Sequence, residues 1–110
     1  MLALSRNVGG PGLNIIGPNG DVLTIDIKSV DEKSKTAVLD MTGSMYSATD
    51  DWRRLPVNGR VFVTHRPTGK VVIVQAVRIH PISQGVKFGI SADKEFNIYR
   101  RELIVDGRNA

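Results

Sequence analysis

Two stretches with a shared plan decide the fold: DVLTIDIKSVDEKSKTAVLDM (residues 21–41) and KVVIVQAVRIHPISQGVKFGI (residues 70–90). Each contains an apolar, β-branched segment, a polar turn and a second alternating segment, and Val22 aligns with Val71. Alternation with a period of two is typical of half-buried strands, so each stretch predicts an antiparallel hairpin. Any two hairpins of this composition look alike, and from the sequence we prefer that explanation to an internal duplication.

The segments around these hairpins also have the composition of strands. LALS, LNII, RVFVTH and EFNIYR are rich in β-branched or alternating apolar residues, and GGPG, GPNG and PTGK supply turn residues between strands. In SATDDWRRL (residues 47–55), acids at the start and Pro56 after the end predict a short helix, and the tail RRELIVDG predicts another helical turn. The expected protein is one mainly β, antiparallel domain over residues 1–110.

Composition favours a polyanionic partner. Fifteen Lys and Arg residues against eleven Asp and Glu residues give a net charge of +4, and the sequence pI is about 9.8. The chain has no cysteine, and His65 and His80 lie on separate strand-like segments without ligand spacing, so we expect no metal site. MLAL is too short for a signal-peptide core and no apolar run is long enough for a bilayer, so we expect a cytoplasmic protein with no membrane contact.

Enzymatic chemistry has no candidate residues in this sequence. There is no cysteine nucleophile, no Ser/His/Asp order with elbow glycines and no phosphate-binding loop. We therefore expect no catalytic residue, no cofactor and no small-molecule substrate.

Two separated blocks carry a family resemblance: MLALSRNVG (residues 1–9) and VKFGISADKEFNIYRREL (residues 86–103). In this order, with an apolar residue two positions before an arginine in each block, they resemble the CsrA/RsmA family of carbon storage regulators. LNIIG and DVLTIDIKSV also look like the second and third strands of that family. The resemblance covers roughly residues 1–30 and 85–104.

The resemblance implies a small antiparallel β-sandwich or barrel of the CsrA type, in which two subunits of a homodimer exchange their first and last strands. The family binds GGA-containing single-stranded loops in messenger RNA leaders or small regulatory RNAs and regulates translation. Unpaired bases expose edges that strand backbones and arginines can bind. Carried over by motif, the RNA-binding residues are Leu4, Ser5, Arg6, Ala92, Lys94, Ile98, Tyr99 and Arg100. Taken singly, each of these side chains has an ordinary structural explanation, with Leu4 and Ile98 as core residues.

The sequence departs from the family pattern at several points. Asn7 stands where a second basic residue is usual, Asp93 replaces a proline, and Tyr99 replaces a histidine. Family members are commonly little more than half this length, so we predict an inserted helix-hairpin segment over approximately residues 42–69, with Trp52 as its core anchor. Because of the hairpin similarity, a single-chain pseudo-dimer with one RNA site is an alternative to the homodimer.

A second functional class remains open. The chain could be a protein-interaction or assembly module that kept the scaffold and lost RNA binding, with the insertion as its docking surface. The net charge of +4 and the two arginine motifs favour RNA binding instead.

Overall fold

Ten strands form two five-stranded antiparallel sheets in a computed structural model that describes residues 2–9, 12–48 and 53–100. The sheet that we call sheet I has the strand order β1-β9-β8-β7-β5, and sheet II has the order β10-β2-β3-β4-β6. The mainly β, antiparallel prediction is confirmed. The strands are β1 (Leu2–Asn7), β2 (Leu13–Ile16), β3 (Val22–Asp31), β4 (Thr36–Thr42), β5 (Tyr46–Ala48), β6 (Arg54–Pro56), β7 (Arg60–His65), β8 (Val71–His80), β9 (Gly85–Ser91) and β10 (Asn97–Arg100).

The alternation seen in the sequence fills one hydrophobic core. In β3 the side chains of Leu23 and Ile25 are buried, whereas Thr24 between them is partly exposed. In β8, Val72 and Val74 are buried in the same way. All four belong to one cluster of buried residues that draws on both sheets. Burial of these aliphatic side chains is the main term that stabilises the two sheets.

The two hairpins found in the sequence are structural repeats with the same irregularities. β3 and β8 each have 10 residues, and their first residues, Val22 and Val71, are 49 positions apart (71 minus 22). Both hairpins have a register shift in their first, longer strand. Both also have a non-glycine residue at positive φ just before their second strand, and each of these features recurs 49 positions later in the chain. The register shifts lie at Ile27/Ser29 and Ala76/Arg78, and the residues at positive φ are Lys35 and Gln84.

The turns of the two repeats match as well, and a chance similarity of two hairpins does not explain this match. Gly20 and Gly69, in the turns before β3 and β8, both have positive φ, at 84° and 72°. Glycine adopts positive φ readily, but other residues rarely do, so the recurrence of positive φ at Lys35 and Gln84 is the specific signal. The structure therefore favours an internal duplication of β2–β3–β4 as β7–β8–β9, in contrast to the explanation that we preferred from the sequence.

The repeats exchange their edge strands. β1 precedes the first repeat but pairs with β9 of the second, and β6 precedes the second repeat but pairs with β4 of the first. The strands that follow the repeats do the same, because β5 pairs with β7 and β10 pairs with β2. Each sheet consequently consists of three strands from one repeat between two edge strands that flank the other repeat.

The helix-hairpin segment that we predicted over residues 42–69 is wrong in its helical part. The described residues of this stretch contribute β5, β6 and β7 to the two sheets and contain no helix. Leu55 of β6 is 2% exposed and pairs with Ala37, so burial at a sheet edge overrides the local helix signals. Residues 49–52, including Trp52, and the tail from residue 101 onward lie outside the described residues.

Within residues 2–9, 12–48 and 53–100, no helix has the length and apolar character that crossing a bilayer requires.

Candidate nucleic-acid interface

The N-terminal block occupies β1, at one edge of sheet I. Leu4 lies opposite Phe88 and is only 6% exposed, so its side chain belongs to the core. Ser5 is exposed opposite Lys87, and Arg6 is half-buried, with one guanidinium nitrogen donating to the carbonyl of Ser5 over 3.1 Å. Leu4 thus anchors the strand, Ser5 faces solvent, and Arg6 lies on the same side of β1 as Leu4, opposite the buried Val86.

The C-terminal block occupies β10, at one edge of sheet II. Ile98 lies opposite Ile15 and packs, half-buried, against the core. The backbone of Tyr99 pairs with Asn14, and the next residue, Arg100, pairs with Leu13. The side chains of Tyr99 and Arg100 lie outside the described part of the structure. Both blocks therefore form edge strands anchored by an apolar residue in the same core.

The loop between β9 and β10 is held by ion pairs. Lys70 contacts Asp93 at 3.2 Å and Glu95 at 2.9 Å, and the Phe96 amide donates to the Asp93 carbonyl over 2.9 Å. Hydrogen bonds to Glu95 and Asp93 raise the pKa of Lys70, and the hydrogen bond from Lys70 lowers the pKa of Asp93. Asp93 thus ties the loop to the turn between β7 and β8.

The predicted loop residues lie on either side of this ion pair. Ala92 is half-buried against the core, and Lys94 is exposed. Lys94 is therefore a cation of this loop that is accessible to a ligand.

A buried histidine lies behind the loop and connects the sheets. His65 is fully buried at the end of β7, with its Nε2 2.9 Å from an Asp21 carboxylate oxygen and its Nδ1 2.8 Å from the Thr68 hydroxyl. Its ring makes an edge contact with Phe96 at a centroid distance of 5.3 Å. The ring of Tyr46 is tilted against that of His65 at a centroid distance of 5.1 Å. Asp21 belongs to the β2–β3 turn, so this cluster holds the two repeats together.

Close packing around His65 requires a glycine in the β2–β3 turn. A Cβ atom at Gly17 would lie 2.9 Å from the Tyr46 hydroxyl and 3.1 Å from His65 Nε2. The Tyr46 hydroxyl donates to the Asp21 carbonyl over 3.0 Å, and burial, followed by the nearby Asp21 charge, raises the pKa of Tyr46. The sequence analysis missed this cluster because Asp21 and His65 are 44 residues apart and only the fold brings them together.

The opposite edges of the two sheets, formed by β6 and β5, have the same pairing with different side chains. Arg6 pairs with Val86, and 49 positions later Leu55 pairs with Ala37. Leu55 is 2% exposed, so this edge carries an apolar core residue where β1 carries a cation. The remaining two edges, β10 and β5, are equivalent as well: Asn97 of β10 pairs with Ile16, and Tyr46 of β5 pairs with His65, 49 positions after Ile16. Ser47 of β5 therefore has the position that Ile98 has in β10.

The described residues also contain a shallow cleft beside β5. Its volume is about 170 Å³, and it is lined by Leu23, Met41, Gly43, Tyr46, Ala48 and Val63. Pockets that enclose small-molecule ligands are typically larger, on the order of 300–1,000 Å³.

In the part of the chain that the structure describes, no group of three or more His, Cys, Asp or Glu side chains is arranged to hold a metal ion.

Comparison with known proteins identifies no relative of this chain. No family model matches the chain, and neither the curated proteins nor the solved structures contain a significant match.

Proposed function

We propose that this protein is an RNA-binding post-transcriptional regulator of the carbon storage regulator type that recognises GGA in single-stranded loops. The observation that carries the proposal is the reciprocal exchange of edge strands, with the two motif-bearing strands β1 and β10 at sheet edges. Strand exchange of the same kind is what the family resemblance implies. The charge of +4 is consistent with an RNA partner.

Edge strands suit recognition of unpaired bases. The outer side of an edge strand presents backbone N–H and C=O groups, and splayed-out bases in an RNA loop present donors and acceptors on their Watson–Crick edges. In this proposal Leu4 and Ile98 hold the two strands in place through the core, while Arg6 and Arg100 contact guanine edges or phosphates. Ser5 and Lys94 supply further polar contacts beside them.

The same topology favours one RNA site in a monomeric chain. The exchange that the resemblance implies between two subunits takes place here between two repeats of one chain. The opposite edge pair has Leu55 at the position of Arg6 and therefore lacks one of the two arginines on which the site depends. We propose the pseudo-dimer with a single site in preference to the homodimer with two.

The test is fluorescence anisotropy with a labelled RNA hairpin that presents GGA in its loop and a matched hairpin with the triplet changed. The wild type should bind the first hairpin selectively, with one RNA per chain. Arg6→Ala and Arg100→Ala should each weaken binding by about 1–3 kcal/mol if they contact bases. The matched control is Arg54→Ala, because Arg54 is exposed on β6, at the opposite edge of sheet II from β10.

Equal affinity for both hairpins, or no affinity for either, would contradict the proposal. The alternative is then a protein-interaction module. Its support is the apolar surface beside β5, where Met45 is 43% exposed. That function predicts unchanged partner binding in Arg6→Ala and Arg100→Ala.

A further inference from the structure

The two sheets differ sharply in charge although they are built from equivalent repeats. The strands of sheet I contain four Lys or Arg residues and no Asp or Glu, whereas the strands of sheet II contain three of each class. The cations of sheet I are Arg6, Arg60, Arg78 and Lys87. The acids of sheet II are Asp26, Asp31 and Asp40.

Register places cations of sheet I in a row that starts at the proposed RNA site. Ser5 of β1 is directly opposite Lys87 of β9, and Lys87 is directly opposite Arg78 of β8. Directly paired residues project from the same face of a sheet. Ser5 and Arg78 are exposed and Lys87 is partly exposed, so this is the solvent face. Three adjacent strands span about 10 Å, so the row extends that far from the edge of the sheet.

A fourth position extends the same face. Arg60 of β7 is exposed and lies opposite Gln75, which in turn lies opposite Gly89. Gly89 pairs with Ala3 of β1. The solvent face of sheet I therefore carries Lys87, Arg78 and Arg60 on three successive strands inward from β1, and we call these three residues the basic face.

The equivalent face of sheet II lacks the cations that correspond to Lys87 and Arg78. At a spacing of 49 positions, Val38 and Ser29 correspond to Lys87 and Arg78, and they pair with each other in the same way. Asp26 and Asp40, which are directly opposite one another, correspond to Gln75 and Gly89. Two carboxylates side by side disfavour a phosphate backbone, and the strands of sheet I have no carboxylate at the equivalent positions, Gln75 and Gly89.

We propose that the basic face binds the phosphate backbone of the RNA segment that flanks the recognised loop. This inference rests on the proposed function and specifies the path of the RNA: from the β1 edge across sheet I and away from sheet II. Charge complementarity and continuity with Ser5 identify the occupant as a polyanion that is already held at the edge. The contacts are to phosphates, so they add affinity and salt dependence without sequence preference.

The experiment compares two RNAs of equal loop sequence, a short GGA oligonucleotide and a GGA hairpin with an extended stem, over a range of salt concentrations. The variants are Arg78→Gln with Lys87→Gln, and the matched control is Lys28→Gln, an exposed lysine of β3 in sheet II. For the hairpin, the slope of log K against log salt should become shallower by about 1.4–1.8 in the double variant, from about 0.7–0.9 per lost phosphate contact. The short oligonucleotide should bind as it does to the wild type.

Each outcome separates the two proposals. If the wild type prefers GGA but the double variant keeps the wild-type slope, or changes no more than Lys28→Gln, the basic face is not a phosphate contact and the function stands. If the double variant loses the preference for GGA along with its affinity, the face reads bases and the phosphate proposal is wrong. If the wild type has no preference for GGA, the proposed function fails, and the basic face fails with it as an extension of that site.

Discussion

The edge formed by β1 and the edge formed by β6 have the same place in equivalent sheets, and they differ in what their side chains can do. Arg6 in β1 and Leu55 in β6 have equivalent pairing partners, Val86 and Ala37. β1 pairs with β9, and β6 pairs with β4, through backbone hydrogen bonds. These bonds do not depend on which side chain stands at the paired position. The comparison teaches that pairing maintains the fold at both edges, whereas the side chain at this paired position is free to differ, a cation in β1 and a buried leucine in β6.

The largest loss of stability should come from a change at His65, which is the residue that ties the two repeats together. The equivalent residue of the first repeat, 49 positions earlier, is the apolar Ile16. His65→Phe keeps much of the volume but removes the hydrogen bonds with Asp21 and Thr68. We expect a loss of about 1–3 kcal/mol in the free energy of unfolding, because two hydrogen bonds of about 0.5–1.5 kcal/mol each are removed. Urea unfolding measures this loss.

The control for that variant is Ile16→Val in the first repeat. This side chain is half-buried in β2, so the change should cost about 1 kcal/mol or less. Equal unfolding midpoints for His65→Phe and the wild type would mean that the histidine cluster contributes nothing to holding the repeats together.

A smaller effect, equal in both repeats, is expected at the two turn glycines. Gly20 and Gly69 have φ values of 84° and 72°, and nothing lies within 4 Å of a Cβ atom at either position. Gly20→Ala and Gly69→Ala should therefore each cost about 1 kcal/mol through backbone strain alone. Thermal unfolding of both variants tests the equivalence of the turns, and a cost at one position only would break it.

The smallest effect concerns Lys70, whose equivalent 49 positions earlier is Asp21. Because the folded pKa of Asp93 is lowered from 3.8, its contribution to stability is present above that pH and is lost as pH falls through the lowered value. Because the folded pKa of Lys70 is raised from 10.5, its contribution is present below that pH and is lost as pH rises through the raised value.

Lys70→Met should therefore be slightly less stable than the wild type near neutral pH, with the two proteins converging in acid. The pair is solvent-accessible, so added salt should also reduce the difference. Unfolding curves at neutral pH, at acid pH and in high salt measure it. A difference that persists unchanged in acid would show that lost packing by the lysine stem, not the ion pair, is responsible.

Most of the strand content could be predicted from the sequence, because period-two alternation is a local pattern. Leu23, Ile25, Val72 and Val74 are buried as their spacing indicates. The helix predicted between residues 47 and 55 failed where the structure describes it, because Leu55 gains more from burial beside Ala37 than from a local cap. Local signals cannot register a partner that lies far away in the chain.

The candidate site shows the same division. Leu4, Arg6 and Ile98 were found by their motifs, but their motifs did not distinguish the core side chain of Leu4 from the more accessible Arg6. Lys87 and Arg78 were missed because a lysine and an arginine in two strands have no recognisable spacing. Their pairing across β8 and β9 makes them neighbours.

By itself, the amino-acid sequence determined the class of the fold, the positions of the strands and the basic character of the molecule, because each depends on composition or on nearest neighbours along the chain. Only the tertiary structure decided that the repeats exchange their edge strands within one chain, that His65 meets Asp21, and that the acids of the described strands all fall in sheet II. The physical reason is that strand pairing is set by the burial of two apolar faces against each other, and this burial joins residues whose separation in sequence carries no signal.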